Sequence, residues 1–283
     1  MLLGMMNALA FALAVTVCIV TGAFETLHFL WLMPVGFLAG FLLLAAVVFA
    51  ALVIMCKRID PEKIGDEDSP RFRRFIMDLV HAIVTVLPVK VRMKGTENIP
   101  SDGRFLLVSN HLDNIDPAVF FYCFPHSQMA FVGKKETQNM FLVNKVMPKL
   151  LCPTIDREND REALKGILRC ISLLKSDTVS IAIFPEGRIN KYRKLAHFRP
   201  GVFKIAQKAN VPIVVCTLQG SNRVIPNLLK LKGSTVKVHL LDVIPPESLT
   251  GRTTVDIAQQ VYDIMAADLG PENILTPEEE ENA

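Results

Sequence analysis

The first 56 residues constrain the fold most, because they contain no lysine or arginine and only one acidic residue, Glu25. Two uncharged runs, residues 2–24 and 26–56, lie on either side of it. A membrane-spanning helix needs about 20 apolar residues, so each run is long enough to cross a bilayer. The short connection at residues 22–28 predicts that the two helices form an antiparallel membrane hairpin over residues 1–56.

Three details bear on how this hairpin sits. The first run has no basic residues ahead of it and no small-x-small cleavage site, so we expect it not to be a cleaved signal peptide. Pro34 and Gly36 leave open whether the second helix is continuous, and hence whether the hairpin spans the membrane or re-enters one leaflet. Two buried core helices of a soluble domain are the alternative. Lys57 and Arg58 follow the second run directly, which predicts a protein of the cell membrane whose remainder faces the cytoplasm.

The charge distribution favours an anionic membrane surface as a partner. All 31 basic residues follow position 56, and only 22 of the 28 acidic residues lie between positions 57 and 270, which leaves this segment with a net charge of +9. Such an excess attracts an anionic leaflet. No stacking platform or zinc-finger spacing accompanies it, so we expect no nucleic acid partner. The six cysteines form no C-x-x-C pair and are expected to be reduced core thiols.

Residues 57–87 are predicted to form a basic linker followed by an amphipathic helix. Apolar residues recur at helical spacing from Phe72 to Ile83, and Arg71, Arg73 and Arg74 lie among them. The pattern fits a helix on the membrane surface. It fits a first core helix of the following domain equally well.

Residues 88–270 alternate strand and helix patterns, which predicts an α/β domain with a mixed, largely parallel sheet flanked by helices. The predicted strands are 89–93, 105–108, 129–132, 152–155, 179–184, 211–218 and 236–243. The predicted helices are 117–124, 140–150, 158–174, 201–209 and 253–269. Residues 271–283 form an acidic tail that we expect to be disordered.

His111 follows a predicted strand and precedes Asp116 by five residues. A neutral imidazole accepts a proton near pH 7, and a carboxylate beside it fixes the tautomer and favours the imidazolium. Asp116 before Pro117 also fits the start of a helix, with the aspartate as N-cap. The alternative is therefore that Asp116 only caps this helix and that His111 is an ordinary loop residue.

A second polar segment, Glu186-Gly187-Arg188, follows the apolar strand that ends near Phe184. Arginine donates two parallel hydrogen bonds to a phosphate, so a Gly-Arg turn at a strand end fits an anion site. If the two strands are parallel, Glu186 and Arg188 emerge at the same sheet edge as His111. A structural salt bridge between Glu186 and Arg188 is the alternative.

Residues 110–116 (NHLDNID) and 184–188 (FPEGR) resemble the first and third signature blocks of the glycerolipid acyltransferases. The likeness is closest to the 1-acylglycerol-3-phosphate (lysophosphatidic acid) acyltransferases. Residues 133–136 (GKKE) and 155–157 (IDR) resemble the second block. Residues 197–201 (HFRPG) resemble the segment before the next helix, and residues 211–214 (VPIV) the fourth block, so the resemblance covers about residues 80–245.

The resemblance implies transfer of a fatty acyl group to the free hydroxyl of lysophosphatidic acid, which gives phosphatidic acid. His111, oriented by Asp116, would take the proton from the hydroxyl while that oxygen attacks the acyl thioester. Glu186, Gly187 and Arg188 would position the acceptor lipid, with Lys134 and Arg157 as further phosphate ligands. The acyl donor would be acyl-CoA or acyl carrier protein, with no other cofactor and no metal. The chain has no G-x-S-x-G elbow, so no acyl-enzyme is expected.

Two departures from the family pattern leave other functions open. The family usually has serine where this chain has Asp113, and commonly has a threonine between the residues equivalent to Gly187 and Arg188. The acceptor is therefore open to glycerol 3-phosphate, another lysophospholipid or a hydroxylated aminoacyl lipid. His111, Asp113 and Asp116 as metal ligands of a membrane-bound hydrolase form a second alternative. A non-catalytic membrane scaffold is a third.

Overall fold

The computed structural model describes residues 1–59, 67–100, 102–134, 140–156 and 159–282. The helices in these ranges are α1 (Leu2–Val20), α2 (Phe29–Lys57), α3 (Pro70–Val86), α4 (Asp116–Cys123), α5 (Val143–Lys149), α6 (Asp160–Lys175), α7 (Lys204–Ala209), α8 (Val224–Leu228), α9 (Thr254–Leu269) and α10 (Pro277–Glu281). The strands are β1 (Val89–Lys94), β2 (Leu106–Ser109), β3 (Met129–Phe131), β4 (Gly133–Lys134), β5 (Thr154–Ile155), β6 (Ser180–Ile183), β7 (Ile213–Gln219) and β8 (Ser234–Ile244).

Helices α1 and α2 form the expected antiparallel hairpin. A Cβ atom on Gly36 would lie 3.4 Å from Ala14, and one on Gly40 would lie 3.4 Å from the Cα atom of Ala10. Small residues at both sides of the contact let the two backbones approach closely, as in membrane helix pairs. Helix α2 continues through Pro34, so the proline does not break it. Both helices are long and apolar enough to cross a membrane.

The main sheet has six strands in the order β1-β8-β7-β2-β6-β3. Only the β7–β8 pair is antiparallel, and the other neighbours in this sheet are parallel. Strands β4 and β5 form a separate parallel pair. Every residue of β2 and β6 is buried, as expected for strands covered on both faces. Since β2 and β6 are parallel, the segments that follow them leave the sheet at one edge.

Helix α3 belongs to the core of the α/β domain. Phe72, Ile76 and Met77 are buried in that core. The buried guanidinium of Arg73 pairs with Asp68 at 2.9 Å and donates to the carbonyl oxygens of Met129 and Leu150 at 2.7 and 2.9 Å. The structure therefore supports the core-helix alternative for this segment, in which Arg73 ties α3 to the start of β3 and the end of α5.

The acidic tail differs from the expectation of disorder. Residues Pro277–Glu281 form α10, and Thr276 and Glu279 make a capping box at its start. Glu279 pairs with Lys194, and Glu280 contacts His197. The expectation was wrong because two of the glutamates contact side chains about 85 residues earlier in the chain, Glu279 that of Lys194 and Glu280 that of His197.

Candidate active site

His111 and Asp116 are in direct contact at the carboxyl end of β2. The Nδ1 atom of His111 lies 2.8 Å from Oδ2 of Asp116, which is fully buried. The imidazole ring stacks on Phe184, with 4.1 Å between ring centroids and 6° between ring planes. Because Nδ1 faces the carboxylate, Nε2 is the nitrogen that can accept a proton. The arrangement is that of an oriented general base.

Asp116 does not cap α4 in the expected way. Its Oδ2 atom turns back to accept the backbone N–H groups of Leu112 at 2.7 Å and Asp113 at 2.9 Å, in addition to the contact with His111. The carboxylate therefore fixes the loop on which His111 lies. The expectation of an N-cap was wrong because these upstream amides, and not those of the first helical turn, reach the carboxylate.

Glu186 is buried and holds His111 from the other side. Its Oε1 atom accepts the backbone N–H of His111 at 2.8 Å, and its Oε2 atom accepts that of Ala196 at 3.1 Å. Burial raises the pKa of Glu186 to about 8; the hydrogen bonds from His111 and Ala196 oppose this rise, and the charge of Asp116 adds to it. The structure thus places this carboxyl group under the loop that holds His111, bonded to backbone amides instead of the side chain of Arg188.

Gly187 and Arg188 continue from Glu186 to the surface. Gly187 has a φ of 81°, which an L side chain rarely adopts, and its N–H donates to the carbonyl oxygen of Phe184 at 3.0 Å. This tight turn directs the chain so that Arg188 is exposed beside the histidine. The sequence predicts a turn at Gly187 and Arg188. Because β2 and β6 are parallel, this turn lies at the same edge of the sheet as His111.

A cavity of about 950 Å³ joins these polar groups to an apolar interior. Its polar lining includes His111, Lys134, Arg188 and Arg199. Much of its apolar lining comes from α3, α5 and α6, and includes the side chains of Ile76, Val80, Val143, Val146, Met147 and Ile167. The cavity therefore combines an imidazole oriented by a carboxylate, three basic side chains and a lining suited to a hydrocarbon chain.

Two predicted site residues need separate comment. Lys134 ends β4 and lines the cavity, and its role as a phosphate ligand stays a prediction. Arg157, and also Lys135 and Glu136 of the second block, lie outside the described residues.

Asp113 does not share a ligand site with His111 and Asp116 in the described part of the chain. Its Oδ1 atom accepts the backbone N–H of Ile115 at 3.3 Å, a local turn bond that a serine hydroxyl can also make. No group of three or more His, Cys, Asp and Glu side chains among the described residues is arranged to hold a metal ion.

The six cysteines are free thiols, and five of them are buried. Burial raises the pKa of Cys152 to about 11 and the pKa values of Cys123 and Cys170 to about 12. Thiols with such high pKa values carry almost no thiolate near neutral pH and are poor nucleophiles. The cysteines thus behave as packing residues.

Sequence reasoning missed four residues that shape the site. Asn110 pairs with both backbone groups of Leu218 and fixes the start of the loop after β2. Arg193 donates to the carbonyl oxygen of Leu112 at 2.6 Å. The ring of Phe184 stacks on the imidazole of His111, and Arg199 lines the cavity. The HFRPG segment, which contains Arg199, could have indicated that Arg199 belongs to the site. Asn110 and Arg193 could not be assigned in this way, because their partners are distant in sequence.

Comparison with known proteins identifies the domain that carries this site. Residues 90–219 match the family model described as Acyltransferase. This segment is therefore similar in sequence to acyltransferases. The resemblance inferred from the signature segments is thereby confirmed, and the matched region contains every predicted site residue from His111 to Arg188.

Relatives with curated names support the same family. The chain is 31% identical over 165 residues to the probable 1-acyl-sn-glycerol-3-phosphate acyltransferase of Mycoplasma pneumoniae, covering 56% of this chain and 61% of the relative. It is 29% identical to the 1-acyl-sn-glycerol-3-phosphate acyltransferase of Borreliella burgdorferi, covering 55% and 63% of the two chains. The alignment with the first of these relatives thus spans about three fifths of that protein's length.

A solved structure confirms the fold class. The 1-acyl-sn-glycerophosphate (LPA) acyltransferase PlsC from Thermotoga maritima superposes with a TM-score of 0.58 at 21% identity, covering 78% of this chain and 86% of the other. The mixed, largely parallel sheet with flanking helices and two N-terminal apolar helices was therefore predicted correctly.

Proposed function

We propose that this chain transfers a fatty acyl group from an acyl thioester to the free hydroxyl of lysophosphatidic acid, giving phosphatidic acid. The observation that carries the proposal is the contact of His111 with buried Asp116 in a cavity whose lining has both cations and apolar side chains. An acceptor with a phosphate, a hydroxyl and a hydrocarbon chain requires all three features in one site. The names of the curated relatives support the same acceptor.

The reaction needs one base that later acts as an acid. Nε2 of His111 takes the proton of the glycerol hydroxyl as its oxygen attacks the thioester carbonyl. The Asp116 carboxylate at Nδ1 stabilises the imidazolium that forms. The tetrahedral intermediate then collapses, the carbon–sulfur bond breaks, and the imidazolium returns the proton to the leaving thiolate. The products are the acylated lipid and a free thiol, and no acyl-enzyme forms.

The cations of the cavity position the acceptor. Arg188 binds the phosphate of the lysolipid, and Lys134 and Arg199 add charge around it. The apolar lining accommodates the fatty chain, and binding of both substrates in one cavity holds the hydroxyl against the thioester. Glu186 acts below the site through backbone amides, so its role is to position His111. The co-substrate is acyl-CoA or acyl carrier protein, and no other cofactor takes part.

We place the protein in the cell membrane with its catalytic domain in the cytoplasm, where the positive net charge favours an anionic leaflet. Lys57 and Arg58 at the end of α2 support this orientation. The N-terminal amine lies 4.0 Å from Asp78 of α3, which supports a hairpin that begins and ends on the side of the α/β domain.

Acyl transfer by the detergent-solubilised protein tests the proposed function. Lysophosphatidic acid is compared with glycerol 3-phosphate and other lysolipids, using each donor, for the wild type, His111→Ala and His126→Ala. His126 is exposed after α4 and serves as the matched control. We expect phosphatidic acid from the wild type and from His126→Ala, and a loss of at least about 100-fold for His111→Ala. Product only from an acceptor other than lysophosphatidic acid would overturn the proposed substrate. No product from any acceptor would overturn the proposed reaction.

A further inference from the structure

The C-terminal segment packs along the loop that follows Arg188. We call residues 273–280 the C-terminal strap. The backbone N–H of Leu195 donates to the carbonyl oxygen of Asn273 at 2.8 Å, and that of Leu275 donates to the carbonyl oxygen of Leu195 at 3.0 Å. Leu195 is fully buried between them. The strap thus adds a short, parallel, strand-like contact to the loop.

Two glutamates fasten the strap to the loop on either side of Leu195. Both carboxylate oxygens of Glu279 lie within 2.9 Å of Nζ of Lys194. Glu280 accepts the backbone N–H of His197 at 3.0 Å and also contacts the imidazole of that residue. The pKa of Glu279 is lowered, chiefly by its hydrogen bond with Lys194. Burial of Glu280 acts to raise its pKa, but contacts with His197 and the charge of Arg188 outweigh burial and lower it.

The same loop holds the catalytic histidine. Ala196, the neighbour of Leu195, donates its N–H to Oε2 of Glu186, whose Oε1 atom accepts the N–H of His111. The guanidinium of Arg193 donates to the carbonyl oxygen of Leu112, the residue after His111. A chain of direct contacts therefore leads from the strap through Leu195 and Ala196 to Glu186 and the backbone of His111.

We propose that the C-terminal strap is a positioning element of the active site, which fixes the loop after Arg188 and through it the Glu186 contact that sets His111. Among the residues that the structure describes, the strap contacts the loop at residues 194–197 and does not contact His111 itself. It therefore affects His111 only through the residues of that loop. The kinetic part of this inference rests on the proposed acyl transfer, whereas its structural part does not.

The test removes the two strap carboxylates that contact the loop, those of Glu279 and Glu280, without shortening the chain. In Glu279→Gln/Glu280→Gln, a glutamine at position 279 can still complete the capping box with Thr276, so α10 keeps its start. The matched control is Glu97→Gln/Glu247→Gln, which removes two charges from exposed residues outside the strap. Both variants and the wild type are compared by hydrogen–deuterium exchange and by kinetics.

Exchange of the amides of His111 and Ala196 reports on positioning without any assumption about the reaction. We expect faster exchange in peptides that cover residues 109–116 and 190–199 in the strap variant, and unchanged exchange in the control. Faster exchange confined to residues 190–199 would overturn the proposal, because the strap would then hold only its own loop.

Kinetics separate positioning from simple stability. We expect kcat to fall about three- to tenfold in the strap variant with KM nearly unchanged, as fits the loss of two partly exposed carboxylate contacts, one to Lys194 and one to His197. Salt at about 1 M screens such contacts and should reproduce most of the fall in the wild type but not in the strap variant. If the wild type transfers acyl groups, an unchanged kcat in the strap variant would overturn the proposal. A wild type inactive on every acceptor would overturn the proposed function only, since the exchange result still decides the role of the strap.

Discussion

Glu186 connects the two signature segments of the site, because one carboxyl group accepts the backbone amides of His111 and Ala196. Its burial explains why the residue does not line the cavity. The two hydrogen bonds explain why the residue is a glutamate. Its carboxyl group has two acceptor oxygens, one for the N–H of His111 and one for that of Ala196. The negative charge matters less than the two oxygens, because burial raises the pKa of Glu186 to about 8.

Glu186→Gln tests this role. The amide nitrogen of glutamine cannot accept a hydrogen bond, so the N–H of either His111 or Ala196 loses its partner. An unpaired buried donor destabilises the fold by about 1–3 kcal/mol. The loop of His111 is then held less firmly, so we expect kcat to fall by roughly tenfold or more with little change in KM. Steady-state acyl transfer measures this, with Glu97→Gln as the exposed control. A selective rise in KM for the acceptor would instead indicate that Glu186 contacts the lipid.

The raised pKa of Glu186 also predicts how stability depends on pH. The unfolded chain releases this proton near pH 4.5, whereas the folded protein keeps it until pH about 8. The folded state therefore holds more protons in this window, and its free energy of unfolding falls as the pH rises, by up to about 1.4 kcal/mol per pH unit. Thermal melting at pH 5, 6.5 and 8 should show a steeper decline for the wild type than for Glu186→Gln. Parallel declines would contradict the burial of an ionisable group here.

Helix α3 depends on one buried cation as well as on its apolar face. Arg73 donates to two backbone carbonyls and pairs with Asp68, whose side chain is only 8% exposed. The guanidinium thereby joins α3 to the elements that form the apolar part of the cavity. The contacts explain why a basic residue lies on the buried side of this amphipathic helix.

Arg73→Ala should destabilise the domain by about 3–5 kcal/mol, because it leaves the Asp68 carboxylate and two carbonyl groups buried without their partner. For a domain of this size, the melting temperature should fall by about 10 °C. Arg74→Ala is the matched control, since Arg74 is the exposed neighbour and its loss should change stability by no more than about 0.5 kcal/mol. Thermal melting followed by circular dichroism compares the two, and equal melting temperatures would contradict the structural role of Arg73.

Local patterns predicted the elements but not the contacts that join distant segments. The alternation of strands and helices and the hairpin were evident because each depends on neighbouring residues. The position of α3 was left open because its spacing fits a membrane surface and a core alike, and the partners Met129 and Leu150 are 56 and 77 residues away from Arg73. The ordered tail was missed for the same reason, since Glu279 owes its place to Lys194. The positions of His111 and Arg188 were predictable because each follows a buried strand, whereas the positioning role of Glu186 required the fold.

The hairpin and the α/β domain together predict one membrane topology. Helix α1 has 19 residues. At 1.5 Å per residue it is about 28 Å long, close to the roughly 30 Å hydrocarbon core of a bilayer. The contact between the N-terminal amine and Asp78 places the chain's start at the domain. A hairpin that spans the membrane must then carry its turn, which includes Glu25, to the opposite side from the domain.

Labelling of intact cells with a membrane-impermeant maleimide tests this topology. Five of the six native thiols are buried, and burial raises the pKa values of Cys123, Cys152 and Cys170, so the native thiols should give little background. We expect Glu25→Cys to react in intact cells, and Ser248→Cys, on the exposed surface of the domain, to react only after permeabilisation. Reaction of Glu25→Cys only after permeabilisation would mean a hairpin that re-enters the cytoplasmic leaflet. Reaction of Ser248→Cys in intact cells would place the α/β domain outside the cell, because Ser248 lies on the surface of that domain.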